Sequence, residues 1–330
     1  MKYAKSEAKD AALAQFHGIW AAITTPFTPD LELDETGLRQ NMRHLCDTLH
    51  VDGVFCTGVM GEFWALTKDE RKQIVEIVVD EARGKCRVIA QTGSHSAHET
   101  IELTKHAETA GADFAIMMGP YYPHTDEDMI YDWFSFVAER VDLGLWLFDT
   151  PFSGRPPISP EMTAKIAAIE NICGAKISRP VEHYAAVRAQ CGDRIVMSSP
   201  NEADFLMMIR DHDQKVHQSS ASPYLIQTGE RLPMRAYANL ALQGRFDEAA
   251  VISKTLDPVR AVNHRWIMGR WRETGILPIA AIKAWSEELG MAAGPVRTPL
   301  LQMSDLERQT LRNEIAGVDI LASQPLSATG

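Results

Sequence analysis

One lysine stands in a stretch that otherwise suits a buried strand. In the sequence NICGAKISRP, residues 171–180, Lys176 lies among apolar and small residues. A lysine in such a place costs free energy unless a carboxylate pairs with it or a reaction uses it. A desolvated amine has a lowered pKa and attacks carbonyl groups well. The pattern predicts a Schiff base between Lys176 and a ketone or 2-oxo acid, with an ion pair to Asp149 or Glu62 as the structural alternative.

A second candidate is the short glycine-containing segment GVMGE, residues 58–62. Its glycines, Gly58 and Gly61, stand three positions apart and allow a tight loop whose backbone N–H groups converge on an anion. A substrate carboxylate would fit such a loop. The alternative is a plain turn, in which Glu62 is an inward structural acid that holds the loop in place.

The overall composition excludes several classes of partner. The chain has 330 residues, of which 45% are hydrophobic, and a net charge of -11. It carries no Lys/Arg cluster, no apolar run near the roughly 18 residues of a membrane span, and no signal-peptide segment. Its five cysteines are scattered without a CxxC motif, which is typical of free thiols in a reducing compartment. We therefore expect a cytoplasmic protein that binds neither nucleic acid, membrane nor metal.

Along the sequence, short apolar runs alternate with stretches of helical period, which predicts strands and helices in turn. These elements must position the candidate residues. Eight such β-α units predict an α/β fold, a (β/α)8 TIM barrel. A doubly wound sheet is the alternative, and the absence of a GxGxxG loop disfavours it. The eight runs are residues 18–24, 53–57, 87–91, 114–118, 144–148, 172–176, 195–198 and roughly 215–221.

The residues after the eighth run have a wholly helical pattern. The sequence therefore predicts three segments, which are an N-terminal lead-in over residues 1–16, the barrel over 17–230, and a C-terminal helical extension over 231–330 that packs on the barrel. In barrels of this kind the active site lies at the C-terminal ends of the strands. That rule places Lys176 near the barrel mouth.

The chain resembles the dihydrodipicolinate synthase / N-acetylneuraminate lyase family of class I aldolases, from about residue 18 to residue 300. The glycine loop GVMGEFWALTKDER and the lysine strand ICGAKIS carry most of the resemblance. AAITTPFTPDLELD resembles the first-strand motif, and ETAGADFAIMMGPYY the fourth strand with its double tyrosine. GRFDEA and LPIAAIKAWSEELGMAAGPVRTPL resemble the C-terminal helices.

The resemblance implies that Lys176 condenses with the carbonyl group of pyruvate or a related 2-oxo acid. The protonated imine then accepts electrons and permits C–C cleavage, C–C formation or loss of water beside it. The loop that begins at Gly58 would hold the substrate carboxylate, with Val59 and Met60 beside it. Tyr122 matches a tyrosine that reaches a neighbouring subunit's site. The resemblance implies no metal or organic cofactor. It does imply a homotetramer built as a dimer of dimers.

Two sets of hydroxyl groups that the family normally carries are missing. Phe148 stands where a tyrosine usually ends the fifth strand, and Val59 and Met60 stand where threonine or serine is usual. A positioned acid or base contributes about 10²- to 10⁴-fold to a rate. The mouth has become more apolar, which predicts an apolar or aromatic aldehyde partner. We therefore expect that the chain is not the lysine-pathway synthase.

Other polar residues near strand ends are candidates to replace the missing hydroxyl. Tyr122 would relay protons if a subunit contact forms, and His95 is a histidine, the residue type most often used for acid/base work. Asp149 adjoins Phe148, and because consecutive strand residues face opposite sides, it can help only beyond the strand end. Ser222, after the eighth run, suits contact with the substrate. Ordinary loop polarity is the alternative for each of these residues.

The sequence thus predicts a Schiff-base-forming lyase, either an aldolase, a hydratase-aldolase or a dehydratase, that acts on pyruvate or another 2-oxo acid. The substitution at Phe148 leaves a second interpretation open, in which a catalytically weakened family member binds a 2-oxo acid as a sensor or scaffold. A third interpretation makes Lys176 purely electrostatic.

Overall fold

The computed structural model describes residues 2–120, 122 and 125–321. Within them the chain forms a sheet of eight strands whose neighbours run parallel. The strands are β1 Gly18–Ala22, β2 Gly53–Cys56, β3 Arg87–Gln91, β4 Phe114–Met118, β5 Leu145–Asp149, β6 Ile172–Ile177, β7 Val196–Ser198 and β8 Val216–Ser220. Their order follows the chain, and β8 returns to pair with β1. The prediction of a (β/α)8 TIM barrel is confirmed.

Helices alternate with the strands and continue after the last one. Two of them begin at N-caps that the sequence predicts. Thr67 forms a capping box with Glu70, and Ser159 caps a helix whose first residue is Pro160. The helices are α1 Ala8–Gln15, α2 Glu35–Arg43, α3 Lys68–Ala82, α4 Ala97–Ala110, α5 Glu127–Ala138, α6 Pro160–Ala167, α7 Val181–Cys191, α8 Phe205–His212, α9 Ser222–Leu225, α10 Pro233–Leu242, α11 Phe246–Lys254, α12 Asp257–Asn263, α13 Arg270–Thr274, α14 Ile279–Glu288 and α15 Asp305–Ala316.

The inside of the barrel is filled by large side chains from alternate strand positions, and glycines on the next strand make room for them. Trp20 on β1 pairs in register with Gly53 on β2, and Trp146 on β5 pairs with Gly174 on β6. A Cβ atom added at Gly53 would lie 2.3 Å from the Trp20 ring, and one at Gly174 would lie 2.1 Å from Trp146. Gly174 therefore faces inward.

Helix α1 packs against the end of the barrel where the strands begin. Phe16, which follows the helix, stacks on Trp20 with ring centroids 4.2 Å apart and also contacts Phe114 and Trp146. These residues form one buried cluster with the barrel interior. The substrate entrance must therefore lie at the opposite end, where the strands finish.

Side chains connect β7 to β8, because these two strands lie at opposite ends of the sheet order and are not paired by backbone hydrogen bonds. Gln214 donates to the carbonyl groups of Val216, at 2.8 Å, and Ser199, at 3.0 Å. The Ser198 hydroxyl donates to the Val216 carbonyl at 2.9 Å and accepts from the backbone N–H of Gln218 at 2.8 Å. These hydrogen bonds hold the ends of β7 and β8 together on one side of the barrel mouth.

Helices α10 to α15 follow the barrel and pack on it. The segment after α14 returns to the second β-α unit of the barrel. There Arg297 makes an ion pair of 2.6 Å with Glu70, at the start of α3. No helix in the described part of the chain has both the length and the apolar character needed to cross a membrane.

Candidate active site

Lys176 lies inside the barrel near the end of β6. It stands two residues after the inward-facing Gly174, so strand alternation turns its side chain to the interior. In register it pairs with Phe148 on β5 and with Ser198 on β7. Only 4% of the residue is exposed. The barrel thus presents one amine close to the mouth and shields it from bulk water.

The surroundings of the Lys176 amine are mostly aromatic. Nζ donates a hydrogen bond of 2.9 Å to the carbonyl oxygen of Ser219. It also lies 4.7 Å from the ring centroid of Phe55 and 4.7 Å from that of Phe148. Aromatic faces attract a cation at such distances. The two rings therefore offset part of the cost of a positive charge on this nitrogen.

The carboxylates that were alternative partners of Lys176 are engaged elsewhere. Glu62 pairs with Lys283 at 2.7 Å, and Asp149 pairs with Arg179 at 2.7 Å. Burial without a counter-ion lowers the pKa of Lys176 from 10.5 to about 7. A substantial fraction of the amine is then neutral near pH 7, which is the form that attacks a carbonyl group.

The glycine loop lies next to this amine and offers free backbone donors. Gly61 and Phe63 both donate to the carbonyl of Gly58, which closes the loop. No described residue accepts a hydrogen bond from the backbone N–H of Val59 or Met60. A Cβ atom at Gly58 would lie 2.6 Å from the Phe55 ring, which itself covers the amine of Lys176. The arrangement suits a carboxylate whose attached carbonyl carbon faces Lys176.

Glu62 anchors the end of this loop to the C-terminal extension. The carboxylate is fully buried, pairs with Lys283 and accepts a hydrogen bond of 2.8 Å from the backbone N–H of Arg297. Thr25 also donates to the Gly61 carbonyl at 2.8 Å. The extension therefore helps to shape the loop, although its helices contribute no side chain beside Lys176.

The wall of the site toward β2 and β5 is apolar. Phe148 is buried, and its ring meets that of Phe55 edge to face with centroids 6.4 Å apart. Val59 belongs to the same buried cluster, and Met60 packs against it. Phe148 itself carries no hydroxyl group on this wall.

Asp149 is not brought to the amine. It is the last residue of β5, so it still obeys strand alternation and faces away from Phe148 and the barrel interior. Its carboxylate accepts from Arg179, lies 3.5 Å from the His183 ring nitrogen and accepts from the backbone N–H of Ile158. These contacts hold Asp149 beside Arg179 and the start of α7, and its acid/base role stays a prediction.

Three further predicted residues lie away from the buried amine or have no contact with it. His95 is exposed in the segment between β3 and α4. Tyr122 is 74% exposed, and residues 121, 123 and 124 beside it lie outside the described part. Ser222 begins α9, where its backbone N–H donates to Ser220. A proton relay through Tyr122 in a neighbouring subunit stays a prediction.

The sequence analysis missed a polar side chain on β8. Val216 belongs to the buried barrel cluster, so Gln218, two residues later, faces the interior, whereas His217 packs on Phe205 of α8 at 5.3 Å. Gln218 is fully buried, and neither its amide oxygen nor its amide nitrogen has a hydrogen-bond partner in the described part of the chain. The run HQSS in an otherwise apolar strand is the signal that points to it.

His217 lies near Lys176 but stays neutral. Burial lowers its pKa to about 3, and the charge of Lys176 acts in the same direction. Its Nε2 atom lies 3.0 Å from the hydroxyl of Ser220. An imidazole with so low a pKa is neutral near pH 7 and therefore does not act there as an imidazolium acid.

Comparison with known proteins gives this geometry a family. The model of the dihydrodipicolinate synthetase family matches residues 15–317. The 4-hydroxy-tetrahydrodipicolinate synthase of Methanothrix thermoacetophila is 32% identical over 302 residues, which cover 90% of this chain and 95% of the relative. The enzyme of the same name from Methanopyrus kandleri is 30% identical over 315 residues, or 93% of this chain and 98% of the relative. Dihydrodipicolinate synthase from Aquifex aeolicus has a similar structure, with a TM-score of 0.80 and 27% identity over 94% of this chain and all of that one.

These relatives correct one expectation. The sequence analysis predicted that the chain is not the lysine-pathway synthase, and this was wrong, because relatives about 30% identical over nearly the whole chain carry that enzyme's name. The physical error lies in the loop, where Val59 and Met60 keep their backbone N–H donors whatever side chains they carry. The matched family consists of class I aldolase-type lyases. The chain belongs to the dihydrodipicolinate synthetase family.

Proposed function

We propose that the chain is a Schiff-base enzyme in which Lys176 condenses with pyruvate, and the enamine formed from the resulting imine adds to an aldehyde, as in a 4-hydroxy-tetrahydrodipicolinate synthase. The observation that carries the proposal is the amine itself, which is buried inside the barrel, pairs with no carboxylate of the described residues and has a pKa of about 7. Such an amine is destabilised as a cation and is nucleophilic near neutral pH.

In the first step the neutral amine of Lys176 attacks the carbonyl carbon of the 2-oxo acid. The carbonyl oxygen takes up protons and leaves as water, which produces a protonated imine. The backbone N–H groups of Val59 and Met60 would hold the carboxylate and orient the carbonyl carbon toward the amine. The rings of Phe55 and Phe148 would stabilise the cationic imine nitrogen from two sides.

In the second step the imine accepts the electron pair left when a proton leaves the adjacent methyl group. The resulting enamine attacks the aldehyde carbon, and hydrolysis of the imine releases the product and restores the amine. Phe148 has no group that moves a proton, and His217 is a neutral imidazole near pH 7. We propose that water or the substrate's own carboxylate performs the transfers.

The apolar wall affects which aldehydes the site would accept. Phe55, Phe148 and Val59 offer no hydrogen bond from their side chains on that side of the amine, so the site would also admit an aldehyde with an apolar or aromatic group. Turnover of pyruvate with such an aldehyde, measured against the aldehyde of the synthase reaction, tests this extension. No turnover of the apolar aldehyde above the rate without enzyme would remove it.

Borohydride trapping tests the imine. Two solved structures with the same fold, each 23% identical, contain pyruvate, which makes pyruvate the first 2-oxo acid to try. The intact protein reduced in its presence should gain the mass of one pyruvyl group, and Lys176→Ala should gain none. Lys68→Ala, at an exposed lysine, is the matched control and should keep the adduct. An adduct that survives Lys176→Ala would contradict the proposal.

A separate experiment tests the exact reaction. The gene should restore growth to a bacterial strain that lacks its own 4-hydroxy-tetrahydrodipicolinate synthase, and the Lys176→Ala gene should not. A trapped adduct without restored growth would keep the imine chemistry and reject the synthase reaction. Restored growth by the Lys176→Ala gene would reject the assigned amine.

A further inference from the structure

Two thiols meet at the opposite end of the barrel from the candidate active site. Cys46 lies in the wide helical turn His44–Thr48 that follows α2, and Cys86 directly precedes β3. Their sulfur atoms are 3.1 Å apart. A disulfide bond is about 2.05 Å long, so the two atoms need to approach by about 1 Å to form one.

A cavity gives small molecules access to this thiol pair. The cavity has a volume of about 750 Å³ and opens at the end of the barrel where the strands begin. Cys86 is partly exposed there, and Cys46 is 7% exposed. The charged residues around it are Lys2, Asp52, Arg83, Lys85, Arg87 and Asp113. A small polar reagent can therefore reach the sulfur atoms without unfolding the barrel.

The other three cysteines lack this reactivity. Cys56, Cys173 and Cys191 are buried. Burial raises the pKa of Cys56 to about 12 and also raises that of Cys173 and Cys191. The hydrogen bond with Cys86 instead lowers the pKa of Cys46, and the nearby Lys85 acts in the same direction. Since the thiolate is the reactive form, Cys46 is the expected first nucleophile.

We propose that Cys46 and Cys86 are a redox modification site, in which a small organic disulfide converts the two thiols into a reversible intramolecular disulfide. The Cys46 thiolate attacks one sulfur atom of the reagent, whose S–S bond breaks and releases one thiolate. The Cys86 thiolate then attacks the Cys46 sulfur of the mixed disulfide and releases the second. Two protein thiols are oxidised, one reagent disulfide is reduced to two thiols, and these take up the two protons.

The cross-link would close a loop that contains working parts of the protein. Residues 46–86 include β2, the glycine loop and α3. Closing a loop of this length removes conformational freedom mainly from the unfolded chain. We therefore expect Tm to rise on the order of 5 °C on oxidation, while imine trapping at Lys176 stays unchanged.

Oxidised glutathione tests the proposal on the full chain. After exposure, the denatured protein should show two fewer of its five titratable thiols, and peptide mass analysis without reductant should give one Cys46–Cys86 linked pair. Cys46→Ser and Cys86→Ser should each lose the linked pair and the rise in Tm. Cys191→Ser, at a buried cysteine, is the matched control and should keep both.

Three results would overturn the proposal. The first is five titratable thiols at every ratio of oxidised to reduced glutathione. The second is a stable glutathione adduct on Cys46 without a bond to Cys86. The third is a loss of two titratable thiols that persists in either serine variant. Because the two variants alter different elements, failure of one to fold leaves the other as a complete test.

Discussion

Lys176 and Lys283 are both buried lysines, and their surroundings differ in a way that separates a reactive residue from a structural one. Lys283 lies at the loop anchor, where its amine meets the Glu62 carboxylate and donates to the Pro295 carbonyl, each at 2.7 Å. Among the described residues, Lys176 meets the Ser219 carbonyl and two aromatic rings, and no carboxylate pairs with it.

Burial lowers the pKa of both amines, but at Lys283 the charge of Glu62 opposes the effect. The comparison teaches that burial alone does not make a lysine reactive. The missing counter-ion does, because it leaves a substantial fraction of the amine neutral near pH 7. The paired lysine instead holds the glycine loop against the extension.

The largest expected effect follows from replacing each lysine by methionine, which has a similar volume and no charge. Lys176→Met should lose about 10⁴-fold or more of the pyruvate-dependent activity, because the nucleophile is gone. Its Tm should not fall, since the variant removes a buried amine that has no counter-ion. Steady-state kinetics and thermal unfolding measure the two effects. A large drop in Tm would show that Lys176 is structural.

Lys283→Met should show the opposite pattern. The variant leaves Glu62 buried without its cation, which should cost about 3–5 kcal/mol of the free energy of unfolding. Denaturant titration measures this loss. The double variant Lys283→Met with Glu62→Gln is the control and should recover part of the stability, because the unpaired charge is removed as well. A single variant as stable as the parent would break the comparison between the two lysines.

The pH dependence of stability should also separate them. The folded-state pKa of Lys176, about 7, lies below its ordinary value of 10.5, so the unfolded chain binds the proton more tightly. The contribution of Lys176 is therefore largest above pH 10.5 and is lost as pH falls toward 7, by about 5 kcal/mol in total. The difference in free energy of unfolding between the parent and Lys176→Met should follow this course. A difference that is independent of pH between 7 and 10.5 would contradict the lowered pKa.

The smallest expected effect on activity concerns Gln218, the buried and unpartnered amide on β8. Gln218→Met should leave the free enzyme equally stable or up to about 1 kcal/mol more stable, because an unpartnered amide is removed. Its kcat/KM should fall by about tenfold if the amide binds substrate. Gln227→Met is the control for a buried glutamine whose amide is already paired, and it should lose stability instead. Unchanged kinetics in Gln218→Met would remove Gln218 from the site.

The barrel and its lysine could be predicted from the sequence because both leave local signals. The apolar runs recur along the whole chain, and Lys176 interrupts one of them. The strand alternation that limits Asp149 is local as well, and the structure shows that the residue does not pass the strand end. What sequence pattern establishes here is the position of each residue within its own element.

The partners of these residues could not be predicted, because they come from distant elements. Glu62 and Lys283 meet only when the extension folds back on the second β-α unit, and Cys46 meets Cys86 only when α2 packs beside β3. Gln218 looks like an ordinary polar residue until the alternation of β8 turns it inward. Each choice between a reactive and a structural role depended on such a contact.

The initial rate at which pyruvate and borohydride modify Lys176, followed by peptide mass analysis from pH 5 to pH 10, tests the account most directly. Lys283 in the same sample is the internal comparison. We predict that the adduct forms on Lys176 and not on Lys283, and that its rate rises through a midpoint near pH 7 and then levels off. A midpoint near pH 10, an adduct on Lys283, or no adduct on Lys176 would contradict the claim that an unpaired buried amine is the nucleophile.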